Sequence, residues 1–308
     1  MEQQKKVILL AGPTASGKSK LAIKLAKYLN GEIINADSMQ IYKEISILTS
    51  KPNPKDLKVI KHHLYGFNSV KKNFSTGHWL EMTLEKIRKQ WDKKKTPIVV
   101  GGTGLYFKSL TEGLVKIPEI PDKIRKEVRK LQEQIGQKIF YDQLVKLDPL
   151  AKKFTSPFDR QRSIRAFEVK KFTNKSFYNF IKETKPFFEE DVFKKLFINT
   201  PRALLHKKID KRVEWMFKNG AVKEVKNFLK IKADKDLSSN RIIGIQEIKD
   251  YLDVKTTLEK TKELIKLKTR RCRAFPRIVR ANPGITKRRI GAHLAIPKCL
   301  SINNPHNL

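Results

Sequence analysis

The chain has 308 residues, 67 of them Lys or Arg and 31 Asp or Glu, for a formal net charge of +36. With 39% hydrophobic residues it can bury a core, which excludes a wholly disordered chain, and its length implies one or two domains. The charge points either to a polyanionic partner, because neutralising phosphates releases counterions, or to a lysine-rich composition, with 51 Lys against 16 Arg.

No apolar run approaches the ~20 residues that span a bilayer, and Val7 to Ala11 is too short for a signal-peptide core. Cys272 and Cys299 are the only cysteines, which excludes a disulfide scaffold and a multi-cysteine zinc site. A reducing cytoplasm is the expected compartment.

Val7-Ile8-Leu9-Leu10-Ala11 is a continuous apolar run closed by Gly12-Pro13, which predicts a buried parallel strand. Ser19 to Leu29 carries apolar residues at helical spacing among lysines. Glu32 to Ala36 and Ile98 to Val100 predict two more strands. Strand, helix, strand in this order implies an α/β, doubly wound core. After Gly113, Ile124, Val128, Leu131 and Ile135 recur at spacings of 4, 3 and 4. Helical patterns continue to about residue 198 with no buried strand predicted, so 116–198 reads as a helical insertion. Residues 1–115 and 199–271 then form a discontinuous core, the second part mostly helical and packing back on the sheet.

Residues 272–308 differ in kind. From 270 onward there are seven Arg, two Lys and four Pro, and no acidic residue follows Glu263. That shift points to a changed reading frame or an extension, with a basic nucleic-acid-binding arm as the alternative.

Gly12-Pro13-Thr14-Ala15-Ser16-Gly17-Lys18-Ser19 matches G-x-x-x-x-G-K-[ST] between a predicted strand and a predicted helix. The glycines turn backbone N–H groups toward phosphate oxygens, and the helix N-terminus adds its dipole. Lys18 supplies a point charge, and the Ser19 hydroxyl is placed for Mg²⁺. The pattern predicts a bound di- or triphosphate without saying which.

Asp37-Ser38-Met39-Gln40 follows the second strand, at the edge where such sheets bind ligands. Asp37 can bind Mg²⁺ or act as a general base; the same pattern also fits an Asx turn. The Gln40 amide can read an adenine edge. Gly101-Gly102-Thr103-Gly104 follows the third predicted strand and permits close backbone approach. Thr103 is its one polar side chain and the candidate phosphate contact, unless the loop is only a tight turn.

Together these motifs resemble the tRNA dimethylallyltransferases, the P-loop isopentenyltransferase family. Thr14 to Ser19, Asp37 to Tyr42, Gly101 to Tyr106, Lys51-Pro52 and His62-His63-Leu64 fit its pattern. Asp159-Arg160-Gln161-Arg162-Ser163-Ile164-Arg165-Ala166-Phe167-Glu168-Val169 fits its D-x-Q-R-x-x-R-A-x-E-V stretch, and Arg202, Arg212-Val213-Glu214 and Gly220 also fit. The resemblance runs from about residue 7 to residue 271. Ser50 and Gly244-Ile245 depart mildly from the pattern, and the tail departs wholly. His62 and His63 read as packing or loop residues rather than ligands.

The resemblance implies a P-loop kinase-like core with a helical insertion. It implies dimethylallyl transfer from its diphosphate to N6 of adenine 37 in tRNAs reading codons that begin with U. Mg²⁺ is the implied cofactor, held by Ser19, and the P-loop from Gly12 to Ser19, a diphosphate- or nucleotide-binding loop, holds the diphosphate leaving group with no nucleotide hydrolysis. Asp37 is the implied base, with Lys18, Thr103 and Arg212 stabilising the leaving group. Asp37, Ser38, Met39, Gln40 and Thr103 would read a flipped adenine. Arg125, Gln161, Arg162, Ser163, Ile164 and Arg165 would contact the anticodon stem-loop. The expected protein is a cytoplasmic monomer without membrane association. Alternatives are an isopentenyltransferase acting on free adenine nucleotides, a P-loop kinase, or an RNA-binding relic impaired by its tail.

Overall fold

The computed structural model describes residues 5–234 and 236–271. Five parallel strands form one sheet: β1 (Val7–Ala11), β2 (Gly31–Ala36), β3 (His62–His63), β4 (Thr96–Gly101) and β5 (Phe193–Phe197), in the order β3-β2-β4-β1-β5. The central three are nearly continuous apolar runs because helices cover both faces. Leu9, Ile34 and Val99 point to one face, and Leu10, Ile33 and Ile98 to the other.

α1 (Lys18–Tyr28) covers the second of these faces through Ala22 and Ala26. α2 (Pro54–Val59) is a short surface helix. The first face is covered by α3 (Thr76–Asp92) and α4 (Gly104–Glu112) through Trp79, Ile87, Tyr106 and Leu110.

The insertion has a separate core. It comprises α5 (Asp122–Leu147), α6 (Ala151–Phe154), α7 (Arg160–Thr173) and α8 (Phe177–Lys182), packed around Val128, Phe140, Leu144 and Ala166. The chain then returns through β5 to α9 (Arg202–Lys218), α10 (Ala221–Lys230), α11 (Ile245–Leu252) and α12 (Leu258–Arg271).

Three expectations need correction. Phe193–Phe197 lies in the stretch expected to hold no strand, yet it pairs with β1 over five residues. Its pattern FKKLF hides it: β5 is an edge strand, and Lys194 and Lys195 blunt that edge as charged residues do. The insertion therefore ends before β5, not at residue 198. β3 was not expected, and as a two-residue edge strand it carries too little pattern to show. Finally, α9 to α12 bury Val213, Val225, Ile248 and Ile265 against Ile41, Tyr42, Ile45 and Leu48, the segment after β2, rather than against a sheet face. The tail 272–308, with its frame-shift reading, lies outside the described residues.

Candidate active site and RNA interface

The carboxyl ends of β1, β2 and β4 carry the three motifs. After β1, Ala15 (φ 63°) and Gly17 (φ 94°) both adopt left-handed backbone. Such a turn directs N–H groups into one concavity and suits an anion. The alanine is strained there, as residues at functional loops often are. Ser16 is buried in the loop, and its hydroxyl has no protein partner. Lys18 folds back on the loop, donating to the carbonyls of Gly12 at 2.7 Å and Pro13 at 2.6 Å. Ser19 is exposed on the first turn of α1.

Burial lowers the Lys18 ammonium from 10.5 to about 8; Asp37 opposes that shift and Arg212 adds to it. Burial likewise lowers Arg212, again against Asp37. One carboxylate and two cations thus share one electrostatic site, although α9 supplies Arg212 from far along the chain. Arg212 also donates to the Leu48 carbonyl at 3.4 Å.

Asp37 Oδ1 accepts from the Met39 amide at 2.9 Å, so the Asx turn is present and the second carboxylate oxygen is left over. Below it lies Asn35, a fully buried amide to which the sequence reading gave no role. Its oxygen accepts from the Asp37 amide at 2.9 Å, and its nitrogen donates to the carbonyls of Asp37 and Leu64, each at 2.9 Å. Trp79 Nε1 donates to the Asn35 carbonyl at 2.7 Å, and the indole stacks on Tyr106 with centroids 4.2 Å apart. A polar residue inside an otherwise apolar strand was the available signal. Burial first, and Asp37 second, push the Tyr65 hydroxyl above its ordinary range.

Thr103 and Ser38 meet across the loops: Thr103 Oγ1 accepts from the Ser38 amide at 2.9 Å and donates to Ser38 Oγ at 3.3 Å. The Gln40 amide nitrogen is engaged by the carbonyls of Thr49 and Ser50, at 2.8 and 3.0 Å. That pins the loop and leaves the Gln40 oxygen for a ligand. Met39 is half-buried against the C-terminal helical cluster.

A cleft of about 970 Å³ separates the insertion from the core. Arg125, Gln161, Ile164 and Arg165, each expected to contact RNA, line it, and so do Arg129, Arg160, Arg241 and His78, which were not among the expected contacts. Two predicted contacts are placed differently. Arg162 pairs with Asp159 at 3.2 Å and does not line the cleft. Ser163 is buried, donating to the Asp159 carbonyl at 2.8 Å and accepting from Gln137 at 3.2 Å. Arg129 stands on α5, Arg160 at the start of α7 on an open position of the D-x-Q-R stretch, and Arg241 at the end of a 3-10 turn, so no fixed motif position marks any of the three.

Residues 40–273 match the family model described as IPP transferase. The chain belongs to the IPP transferase family. A tRNA dimethylallyltransferase of Pelagibacter ubique is 55% identical over 270 residues, 88% of this chain and 86% of the relative. One from Rickettsia massiliae is 44% identical over 270 residues, 87% of this chain and 74% of the relative. Among solved structures, a eukaryotic dimethylallyltransferase acting on tRNA matches with a TM-score of 0.76 and 31% identity, covering 87% of this chain and 67% of that one. The full-length tRNA isopentenylpyrophosphate transferase of Bacillus halodurans matches with a TM-score of 0.60 and 31% identity, covering 87% of this chain and 84% of that one. The family thus supplies the parallel α/β sheet and its many helices.

Proposed function

We propose that the chain transfers a dimethylallyl group from dimethylallyl diphosphate to N6 of adenine 37 in tRNAs reading codons that begin with U, releasing diphosphate. The observation that carries this reading is the pairing of two sites. A phosphate cradle with Asp37, Lys18 and Arg212 sits at the strand ends, and an arginine-lined cleft opens between core and insertion. A small acceptor needs no such cleft. The names of the Pelagibacter and Rickettsia relatives support the same reading.

The adenine amino group is a weak nucleophile because its lone pair is delocalised into the ring. Asp37 accepts its proton as N6 forms a bond to the allylic carbon. The carbon–oxygen bond to the diphosphate breaks, and negative charge grows on the leaving group. Lys18, the loop amides, Thr103 and Arg212 offset that charge. Lys18 must leave the carbonyls of Gly12 and Pro13 to do so. The target base lies outside the reach of Asp37 while stacked and is flipped into the site, where Ser38 and the Gln40 oxygen can meet it.

Mg²⁺ fits the donor set. Ser19 offers one exposed hydroxyl, and no cluster of three or more His, Cys, Asp or Glu suited to an ion occurs among the described residues. An ion carried largely by substrate phosphates and waters needs no more. It would screen the diphosphate's charge there. No helix among the described residues is long and apolar enough to cross a membrane. The reading includes a cytoplasmic monomer, checked by sedimentation and cell fractionation.

The test is label transfer from dimethylallyl diphosphate, with Mg²⁺, to an unmodified anticodon stem-loop, with AMP as a parallel acceptor. Label in the stem-loop is expected. Label in AMP alone moves the protein to the small-molecule transferases, and label in neither overturns the reading.

A further inference from the structure

Glu168 is the one buried carboxylate among the described residues lining the cleft, 3% exposed where Glu133 and Asp236 are exposed. It stands on α7. Its Oε2 accepts from Arg165 Nη1 of the same helix at 3.3 Å. Its Oε1 faces Arg129 Nε, from α5, at 3.9 Å and accepts no hydrogen bond. Both arginines line the cleft, with side chains 38% and 61% exposed.

A carboxylate is costly to bury, and it opposes RNA phosphates electrostatically. A residue chosen only to attract RNA would not be acidic. Arginine side chains, however, lose much rotamer freedom when they dock on a phosphate. A buried carboxylate between two of them removes part of that loss in advance. The free Oε1 also gives Arg129 a hydrogen-bond position to close on.

We propose that Glu168 is a positioning residue, a clamp that joins α5 to α7 and presents Arg129 and Arg165 in one orientation to an RNA phosphate backbone. The inference rests on the RNA substrate proposed above and adds how the cleft distinguishes a folded stem-loop from any polyanion. Attraction alone is indifferent to RNA shape, whereas two arginines held at a fixed separation are not.

The test measures binding of the unmodified anticodon stem-loop and of an unrelated hairpin of equal length, beside transfer kinetics. E168Q is expected to weaken stem-loop binding by about tenfold while the unrelated hairpin binds as before or more tightly. The loss falls on KM for RNA rather than on kcat, and KM for dimethylallyl diphosphate does not move. In an R129A/R165A background, E168Q is expected to add nothing, because it acts through those side chains. Native or tighter stem-loop binding by E168Q overturns the clamp, as does an undiminished effect in that background. Should E168Q not fold, the exposed R129A and R165A variants carry the test. A shared clamp makes the double variant lose less than the sum of the singles, and full additivity overturns it. If the native chain fails to prenylate RNA, the functional reading falls, while the ratio of the two binding constants still decides the clamp.

Discussion

Thr103 Oγ1 accepts the Ser38 amide proton at 2.9 Å, tying the loop after β4 to the loop after β2. The bond fixes the Asp37 loop relative to the loop that opens α4. It lets two motifs 65 residues apart act as one surface beside the phosphate cradle.

T103A leaves the Ser38 amide without that acceptor. A lost partner for a partly buried donor costs about 1–3 kcal/mol, and the Asp37 loop gains freedom. The expected outcome is a lower thermal midpoint with transfer reduced more than the midpoint shift explains. T103S keeps the hydroxyl and should restore both. Equal behaviour of the two variants would remove the loop tie from the explanation.

Gly101 is required by space. A Cβ there would stand 2.0 Å from the Ala36 carbonyl oxygen, a backbone atom that also accepts from the Thr103 amide at 3.1 Å. Backbone cannot rotate away as a side chain can. G101A is therefore expected to cost about 3 kcal/mol or more by separating β2 from β4. Denaturant unfolding checks this, and a midpoint unchanged from native would show that the sheet edge yields.

Much of this arrangement was legible in the chain. The Gly12–Ser19 loop, the Asp37 loop and the Gly101 loop are local: each follows an apolar strand directly, so a short window holds the strand, the turn and the candidate residue. Arg212, by contrast, reached the site only through resemblance, since nothing near it in sequence tells that α9 lies against Leu48. Asn35 was passed over because a buried amide is recognised by its partners, the Asp37 and Leu64 backbone and Trp79, and these come together only in the fold. β5 was hidden for a related reason. Its lysines obey the rules for an edge, not those for a core strand.

Glu32 reports on the other end of the sheet. It is buried and accepts from Lys95 at 2.5 Å and His63 Nε2 at 2.6 Å. Burial raises its carboxyl, but the hydrogen bonds and charges of Lys95 and His63 outweigh that and hold it below the ordinary 4.5. A depressed acid stabilises the fold above its unfolded value, and that contribution is lost as pH falls through the folded one. E32Q is expected to be less stable than native at pH 7, by about 1–3 kcal/mol. The two unfolding curves should converge as the solution is acidified below about pH 4. A gap that persists there would show that Glu32 acts by shape and not by charge.

Lys18 sets a limit at the alkaline side. In the free chain it titrates at about 8, mainly through burial. Only the ammonium form attracts a diphosphate. Since kcat/KM reports groups of the free enzyme, kcat/KM for dimethylallyl diphosphate should fall as pH rises through about 8. K18R should lose that limb, because arginine keeps its proton. The linkage has the opposite sign. Between about 8 and 10.5 the unfolded chain holds the extra proton, so the free protein should gain stability with rising pH while it loses activity. A limb that stays in K18R would assign the titration to another group.

Arg241 tests the core side of the cleft. It stands beyond the insertion, as the last residue of a 3-10 turn at Ser238–Arg241, and faces the wall that carries Arg125 and Arg165. If RNA bridges the cleft, the core wall must take phosphate too, because a stem held from one side only would be free to swing. R241A is expected to weaken stem-loop binding and to lower the slope of log affinity against log salt by about one. KM for dimethylallyl diphosphate should not change, since the cradle lies elsewhere. An unchanged salt slope would place the RNA on the insertion alone, and Arg241 would then be a solvated cation at the mouth of the core.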